Sequence, residues 1–466
     1  MGCTTSTMDV TRLPFELLVE IFSHETKPNV LMTVAQVCRH WHHVVLHESS
    51  LWTEVCVTPD TTPAQLNLQL ARSGAHALSV EVSFRTSGSP DDLDQCLSTI
   101  MLEYELIEAL VITSDYNWGF RQTVKTSWPA GLVALLLPGR IWPRLRTLRL
   151  NGELWSFNDF RLCLVAPVLR DLELHTVRVR DWHCFGLGSR MRRLQVSDTG
   201  TRGLFATLRG CMSLESLLVK DSIAHNYDTL HYDNSLALPT FHSLTHLDIK
   251  WAAIDLNMLI DLLAHCPNAE RVSISHDKTL EPLASPYTGS LYMLSHLRAI
   301  TLRSQWGGDD TLLHSLAPFI DSSGLEHMEL NNMRFIDPSG SFGAALRTLK
   351  LTGLVYESGD LVQALSQCTK LESLTIDRII TSTHDDRPVV MPLPLLRSVT
   401  VDCITKHHGL SSDILGARNR RLVDIIMALL PLPGVREVTI RPIPLARTTH
   451  ISLTIGHLRT VMDRLS

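Results

Sequence analysis

Histidine is the residue type that most invites a chemical role in this sequence, because the chain has 22 of them and imidazole is a common metal ligand. The densest groups are His40, His42 and His43, and the pair His407 and His408. The first three lie almost side by side in a helical pattern, where adjacent side chains point apart. No matching set of cysteine or carboxylate ligands follows them. We therefore expect no metal site and no cofactor.

Catalytic signatures are also missing from the sequence. It contains no Gly-x-Gly-x-x-Gly, no Gly-x-Ser-x-Gly, no Walker-type Lys-Ser/Thr and no His-Glu-x-x-His. The ten cysteines include no Cys-x-x-Cys pair, so a zinc ribbon or a thioredoxin-like redox site is not expected. We predict a protein that is not an enzyme.

The first residues, Met-Gly-Cys-Thr-Thr-Ser, match the acceptor pattern for myristate at Gly2. Cys3 is placed for a second acyl chain, and two chains are what stable membrane anchoring requires. The other interpretation is a plain flexible tail over residues 1–10. No secretory signal is seen, and dispersed cysteines are typical of reduced thiols. We expect a cytoplasmic or nuclear protein, anchored to a membrane only if the N-terminus is acylated.

Composition limits the class of protein further. With 466 residues, the chain is too long for a single core, and 44% hydrophobic residues supply ample material for several domains or a long array. The net charge of −6 offers no electrostatic footprint for nucleic acid, and no apolar run is long enough to span a bilayer. Nucleic-acid binding and a membrane-spanning segment are therefore not expected.

A repeated pattern, apolar-x-x-apolar-x-apolar, decides the architecture. It starts at residues 145, 169, 191, 214, 244, 269, 297, 325, 346, 371, 396 and 435. Most of these steps lie in or beside the roughly 20 to 29 residue range of leucine-rich repeats. Two weaker candidates, at residues 77–82 and 107–112, extend the array towards the N-terminus.

Each repeat places alternate apolar residues on one face of a short strand, which a single repeat cannot bury alone. Stacked repeats bury that face in one core, with parallel strands on the concave side and helices such as 256–265 on the convex side. Cys211, Cys266 and Cys368 each lie three residues before a repeat start, so we expect them to pack as small buried apolar groups. The predicted fold is an irregular α/β solenoid.

The N-terminal segment up to residue 52 does not follow the repeated pattern. Pro14 suits the first turn of a helix, after which Leu17, Leu18, Ile21 and Phe22 form an apolar stripe. A second helix is predicted over residues 34–45, followed by Leu-Trp at 51–52. A module of about 45 residues is too small to bury all these side chains. Part of the stripe is therefore expected to bind a partner.

Leu13-Pro-x-Glu-Leu-Leu-x-x-Ile-Phe22, Val37-Cys-Arg-x-Trp41 and Leu51-Trp52 together resemble the F-box. With the repeats, the chain resembles F-box proteins with leucine-rich repeats, which are abundant in fungi. The resemblance implies a three-helix F-box module at residues 11–56 and a repeat solenoid at residues 57–466, of which residues 404–466 form an irregular cap. Where the family often has Asp-Leu-Leu after the first helix, this chain has Asn29-Val-Leu31.

The resemblance also implies a function. In that family the F-box docks on the Skp adaptor of a cullin–RING ubiquitin ligase, and the repeats hold a protein substrate. The resemblance implies that nine residues form or support the adaptor-binding surface: Leu13, Pro14, Leu17, Leu18, Ile21, Val37, Trp41, Leu51 and Trp52. Trp41 and Trp52 are expected to be its anchors.

A local basic patch near the first repeats is a candidate for binding an acidic or phosphorylated substrate segment. Its residues are Arg146, Arg149, Arg170, Arg192 and Arg193. A solvated charged surface is the alternative interpretation of these arginines. For the whole chain, the alternative is a non-catalytic scaffold whose helical head only caps the solenoid or docks a partner outside the ligase.

Overall fold

A computed structural model of the chain describes most of the helical head and the strands of the repeats. The described residues form two compact units, Met1–Leu214 and Glu215–Ser466. They are residues 13–24, 28–58, 60–84, 90–114, 140–151, 165–177, 179, 182–197, 204–221, 238–251, 256–276, 294–304, 311–316, 319–320, 323–333, 345–353, 355–356, 365, 367–377, 380–381, 393, 395–404, 437–443 and 451–453. None of the helices in these ranges is long and apolar enough to cross a membrane.

The first unit opens with three short helices and one 3₁₀ turn. They are α1 (Phe15–Ser23), α2 (Pro28–Val34), α3 (Arg39–His47) and the 3₁₀ turn Ser49–Trp52. Pro14 precedes α1 with extended backbone, and its carbonyl accepts the N–H of Leu18 at 3.1 Å, which closes the first helical turn. The helices share one core of side chains that are at most 5% exposed: Leu18, Phe22, Leu31, Ala35, Val44, Val45, Leu51 and Trp52.

The second predicted helix is in fact two helices. The expected continuous helix over residues 34–45 is wrong, because α2 ends at Val34 and a turn occupies residues 35–37. Cys38 then adopts an extended backbone, and its Sγ accepts the N–H of Trp41 at 3.5 Å as the N-cap of α3. A side chain that accepts a free N–H of the first turn favours a helix start at that point. The apolar stripe is therefore divided between two helices.

A fourth helix joins the helical head to the first strands. Helix α4 (Pro63–Ser73) begins with a capping box, in which Thr62 and Gln65 each bond the other's backbone N–H, and it ends before Gly74 at a φ of 61°. Both features are strong start and stop signals for a helix. The Nε2 of Gln69 donates to the carbonyl of Glu54 at 2.6 Å, which attaches the middle of the helix to the first strand.

The described residues of the first unit also form six parallel strands, two further α-helices and three 3₁₀ helices at Tyr104–Leu106, Trp182–Phe185 and Leu208–Gly210. The strands and α-helices are β1 (Glu54–Val57), β2 (Leu78–Phe84), α5 (Pro90–Leu102), β3 (Ile107–Ser114), β4 (Thr147–Asn151), β5 (Asp171–His175), β6 (Arg193–Ser197) and α6 (Leu204–Thr207). Each strand pairs with the next one along the chain, and the register aligns Leu148 with Leu172 and Leu172 with Leu194. The equivalent leucines of successive repeats therefore stack directly.

The second unit repeats this arrangement in its own strands. Its elements are β7 (Ser216–Asp221), β8 (His246–Trp251), α7 (Leu256–Ala264), β9 (Arg271–His276), β10 (Ala299–Ser304), α8 (Thr311–Leu316), β11 (His327–Asn331), β12 (Thr348–Thr352), β13 (Val355–Tyr356), β14 (Ser373–Asp377), β15 (Ile380–Thr381), β16 (Ser398–Ile404), β17 (Glu437–Ile443) and β18 (Ile451–Leu453). Strands β13 and β15 form a separate parallel pair, and β18 pairs antiparallel with β17. The other strands pair in parallel in chain order.

All twelve repeats predicted from the apolar pattern contain a strand of these sheets, and both weaker candidates are strands β2 and β3. Burial alternates along the strands as the pattern requires: in β10 every second side chain is buried, ending with Leu302 and Ser304. Strands β1, β13, β15 and β18 were not predicted, because they are short and lack the repeated leucines. Of the predicted C-terminal cap, only residues 404, 437–443 and 451–453 are described.

The three repeat cysteines are buried as predicted. Cys211 and Cys266 are 0% exposed and Cys368 is 2% exposed, each just before a strand. The thiol of Cys266 donates to the carbonyl of Leu262 at 3.1 Å. Burial raises the pKa of Cys211 and of Cys266 to about 12, because the thiolate would lose its hydration inside the core.

We expect Cys211 and Cys266 of the native protein to resist iodoacetamide at about pH 8.5, since only the thiolate reacts at a useful rate. The exposed Cys56 is the internal reference and should be alkylated rapidly. Peptide mass spectrometry before and after denaturation measures the three rates. Alkylation of native Cys266 as fast as that of Cys56 would contradict the buried packing role.

Candidate protein-interaction surfaces

Helix α1 has two apolar stripes that face different surroundings. Leu18 and Phe22 point into the core of the helical head and are at most 4% exposed. Leu17 and Ile21, one position earlier in each turn, are 46% and 50% exposed. Because residues four apart lie on one side of a helix, Leu17 and Ile21 form an outward stripe beside the inward one.

Two more apolar side chains of the helical head are exposed. Val37, in the turn after α2, is 58% exposed, and Met32 on α2 is 36% exposed. Ten large apolar side chains are exposed in the described ranges. Four of them, namely Leu17, Ile21, Met32 and Val37, lie within residues 17–37. Single exposed apolar residues are ordinary on a soluble protein, whereas a concentration of them marks an interaction surface. We call Leu17, Ile21, Met32 and Val37 the apolar set.

Pro14, Leu17, Ile21 and Val37 are exposed and were among the residues predicted from the sequence to contact an adaptor, whereas the exposed Met32 was not among them. Its signal was weak, because Met32 belongs to a helix that the sequence pattern did not separate from the next one. Once α2 is known to begin at Pro28 and to bury Leu31, the neighbouring Met32 must lie on a different side of that helix.

Trp52 is not presented to a partner, so the expectation that it anchors one is wrong. Its side chain is 2% exposed, and its Nε1 donates to the carbonyl of Val45 at 2.7 Å. The guanidinium of Arg72 on α4 covers the indole at 4.5 Å from the ring centroid. Leu18 and Leu51 are buried in the same core. Leu18, Leu51 and Trp52 therefore belong to the core of the helical head and not to its exposed surface.

Trp41 is neither fully buried nor fully exposed. It is half-buried, and its ring meets Phe22 edge to face with centroids 5.1 Å apart. Its Nε1 is buried and has no hydrogen-bond partner among the described residues. The residue therefore contributes packing to the core of the helical head, with part of its ring left accessible.

The histidines near Trp41 have structural contacts. An Nε2–H of His40 is placed to donate to the carbonyl of Leu13 at 3.1 Å, and Nδ1 of His42 lies 3.2 Å from the carbonyl of Ala35. His43 packs against His47 with ring centroids 4.3 Å apart. The described residues contain no group of three potential ligands that could hold a metal ion. His407 and His408 lie outside the described residues.

The side of the helical head that meets the strands includes one member of the apolar set, Met32, and leaves the other three members exposed. The carbonyl of Thr53 accepts the N–H of Ser79 at 2.9 Å, so the chain passes from the 3₁₀ turn directly into the sheet. Arg72 lies against the indole of Trp52 on this side. Its NH1 also lies 3.3 Å from the Sδ of Met32. The helical head thus covers the end of the strands while Leu17, Ile21 and Val37 keep much of their surface exposed.

The five arginines predicted to bind substrate occupy different positions. Arg149 and Arg193 are on the strands, where Arg149 pairs with Glu173 at 3.2 Å and Arg193 holds both oxygens of Asp171 at 2.6 and 2.9 Å. Arg146, Arg170 and Arg192 precede the strands in a row at one edge of the sheet. Arg146 is also paired with an acid, Glu108 of β3, at 2.7 Å. The five arginines therefore lie at two levels of the sheet, and at least three of them are paired with acids of neighbouring strands.

Opposite charges also meet on the outward face of the second unit. Lys250 pairs with Asp248 at 2.8 Å, and Glu329 accepts from both Arg303 and Lys350 at 3.1 Å. Exposed pairs of this kind contribute little stability, with a median of about 0 to 1 kcal/mol each. Their effect is to leave this part of the strand surface mixed in charge.

Comparison with known proteins matches residues 10–58 to the F-box-like domain. Among solved structures, the chain is similar to the leucine-rich repeat-containing protein LegL7 from Legionella pneumophila, with 13% sequence identity and a TM-score of 0.23. That similarity covers 89% of this chain and 98% of LegL7. The search of curated proteins finds no match.

We expect the buried side chains of the helical head to stabilise it more than the exposed ones do. Trp52→Ala should lower the free energy of unfolding of the helical head by about 3–5 kcal/mol, because it removes a large buried ring. The matched control, Leu17→Ala, should change it by no more than about 0.5 kcal/mol, because Leu17 is exposed. Hydrogen exchange of the backbone amides of α3 measures both changes. Equal effects of the two substitutions would contradict the assignment of inner and outer faces.

The F-box-like match at residues 10–58 is followed by the repeated parallel strands of both units, whose register stacks the equivalent apolar residues. The chain therefore carries an F-box-like domain at residues 10–58, followed by repeated parallel strands of the kind that leucine-rich repeats form.

Proposed function

We propose that this chain is the substrate-recognition subunit of a Skp–cullin–F-box ubiquitin ligase. F-box domains generally bind the Skp adaptor, and leucine-rich repeats generally bind proteins. In this proposal the helical head binds the adaptor and, through it, the cullin–RING ligase, while the repeats hold a protein substrate. The protein has no active site of its own in this role.

The observation that carries the proposal is the exposure of Leu17, Ile21 and Val37 above a core that is already complete. Leu18, Phe22 and Trp52 fill that core, so the exposed residues are not needed to hold the helices together. Burying an exposed aliphatic side chain against a partner contributes about 1.5–3 kcal/mol. Pro14 is also exposed beside this stripe and belongs to the proposed surface.

In this proposal the chain acts by tethering its substrate to the ligase. A substrate held by the repeats stays close to the ubiquitin-conjugating enzyme that the ligase carries, which raises its effective concentration at the transfer site. Holding two reactants together in this way removes much of the entropic cost of their encounter. The contribution of this chain is then selection and positioning of the substrate.

A scaffold whose helical head only caps the repeats is the competing function. The contact between Arg72 and Trp52 and the bond from Gln69 to Glu54 do favour a capping role. Capping uses the inner face, however, and provides no reason for large apolar side chains at Leu17, Ile21 and Val37. Recruitment of cullin together with the adaptor distinguishes the two functions, because only a ligase subunit requires it.

We expect the triple variant Leu17→Ala, Ile21→Ala and Val37→Ala to weaken adaptor binding at least tenfold, because truncating an interface anchor commonly costs about 2 kcal/mol. A matched control is Leu68→Ala with Leu102→Ala, which removes exposed apolar side chains outside the helical head, at 51% and 80% exposure. Affinity for the purified adaptor and co-purification of cullin are the measurements.

The control variant should bind the adaptor like the unmodified chain, and both variants should retain the repeat strands by circular dichroism. Unchanged adaptor affinity of the triple variant would exclude this surface. Adaptor binding without any cullin in cells would favour docking outside the ligase.

The predicted acylation at Gly2 and Cys3 concerns residues outside those that the structure describes. It remains part of the proposal: acylated protein would act at a membrane, and unmodified protein in the cytoplasm or nucleus. Intact-mass measurement after expression in a eukaryotic cell tests it, since one myristoyl group and one palmitoyl group would each add a distinct mass. An unmodified N-terminus would remove the membrane-anchored form.

A further inference from the structure

Two residues of the proposed adaptor surface lie at the ends of helices instead of within them. Pro14 precedes α1, and Val37 belongs to the turn at residues 35–37 between α2 and α3. Leu17 and Ile21 differ from them, because the backbone of α1 fixes both. Backbone outside helices and strands is generally more mobile, so Pro14 and Val37 need other contacts to hold them in place.

The segment before α1 is held from α3 by His40. The Nε2 atom of His40 lies 3.1 Å from the carbonyl oxygen of Leu13, which is 27 positions earlier in the chain. A carbonyl oxygen can only accept a hydrogen bond, so Nε2 carries the proton and donates it. Among the described residues, no side chain caps the N-terminus of α1. The bond from His40 therefore fixes the peptide group that joins Leu13 to Pro14.

The turn that carries Val37 is held by His42 of the same helix. Helix α2 ends at Val34, and carbonyl groups at the end of a helix have no helical partner. Nδ1 of His42 lies 3.2 Å from the carbonyl oxygen of Ala35, to which it donates. The N–H of Val37 donates to the carbonyl of Val34 at 3.1 Å. The turn is thus bonded both to the helix before it and to the helix after it.

Helix α3 provides both bonds from a backbone that the core of the helical head anchors, with Val44 0% exposed. His40 and His42 are two positions apart, so their side chains point to different sides of the helix and reach different segments. His43 does not share this role. Its ring packs against His47 with centroids 4.3 Å apart, and within the described part of the head it forms no bond to a loop carbonyl.

We propose that His40 and His42 are positioning residues of the adaptor surface, a role that rests on the proposed function of the helical head. They hold the peptide group before Pro14 and the turn before Val37 in the conformation that the adaptor meets. The adaptor then does not have to order these two segments as it binds, and such ordering opposes association. The two histidines act through the backbone of these segments and need no contact with the adaptor.

The test separates each hydrogen bond from the ring that makes it, in variants of the full chain. The donor-free variant, His40→Leu with His42→Leu, removes both N–H groups. The donor-retaining variant, His40→Gln with His42→Asn, keeps an amide N–H near the position of each ring N–H. His43→Leu is the matched control in the same helix. Leucine favours a helix more than histidine or asparagine does, so a loss in the leucine variants would not come from a weaker helix.

We expect the donor-free variant to bind the purified adaptor about tenfold more weakly than the unmodified chain, because two hydrogen bonds to the loops are lost. The donor-retaining variant should stay within about threefold of the unmodified chain, and His43→Leu within about twofold. Normal adaptor affinity of the donor-free variant would overturn the positioning role. Equal losses in the donor-free and donor-retaining variants would also overturn it, because they would assign the effect to the rings and not to the bonds.

Backbone hydrogen exchange on the same preparations keeps this proposal separate from the proposed function. The amide of Val37 should exchange about fivefold faster in the donor-free variant, while the amides of α3 keep their protection. Failure of the unmodified chain to bind the adaptor would contradict the proposed function, whereas unchanged exchange at Val37 would contradict the hold of His42 on the turn. If the double variant loses protection throughout α3, the single change His42→Leu replaces it, because His42 is exposed.

Discussion

Each strand of this protein is too short to bury its own apolar face, and this constraint controls the rest of the structure. A five-residue strand such as β4 directs Leu148 and Leu150 to one side, and only the equivalent leucines of the adjacent strands can cover them. Parallel pairing in register places leucine on leucine from one repeat to the next. The first strand has a neighbour of another kind in α4, which bonds Glu54 through Gln69 and packs on Trp52 of the helical head through Arg72.

The helical head presents two sets of apolar side chains from one short motif. Trp52, Leu51 and Leu18 are buried and stabilise the head where it joins the strands. Leu17, Ile21 and Val37 contribute little to that core and keep much of their apolar surface exposed. Because the two sets are separate, the proposed binding of a partner at the exposed residues would not require the core to rearrange.

Charge at the edge of the sheet distinguishes the two units in a similar way. The backbone bonds bring the second residue of each repeat into a row, whatever its type. From Glu270 to Arg397 glutamate and arginine alternate, so opposite charges are adjacent, whereas Arg146, Arg170 and Arg192 follow one another in the first unit. Of these three, Arg146 is paired with Glu108 at 2.7 Å.

The positions of the strands in the twelve repeats and their parallel stacking were determined by the sequence alone, because alternation of apolar residues is a local property and its recurrence requires neighbours. The same holds for the buried cysteines and for the F-box-like motif. Only the tertiary structure decided that Trp52 is covered by Arg72, that the helix expected over residues 34–45 is interrupted before Cys38, and which arginines are paired with acids. These properties depend on residues distant in the chain, or on competition between a cap and helix continuation. A pattern of apolar residues shows that a side chain prefers burial, but only the surrounding elements determine whether it is buried.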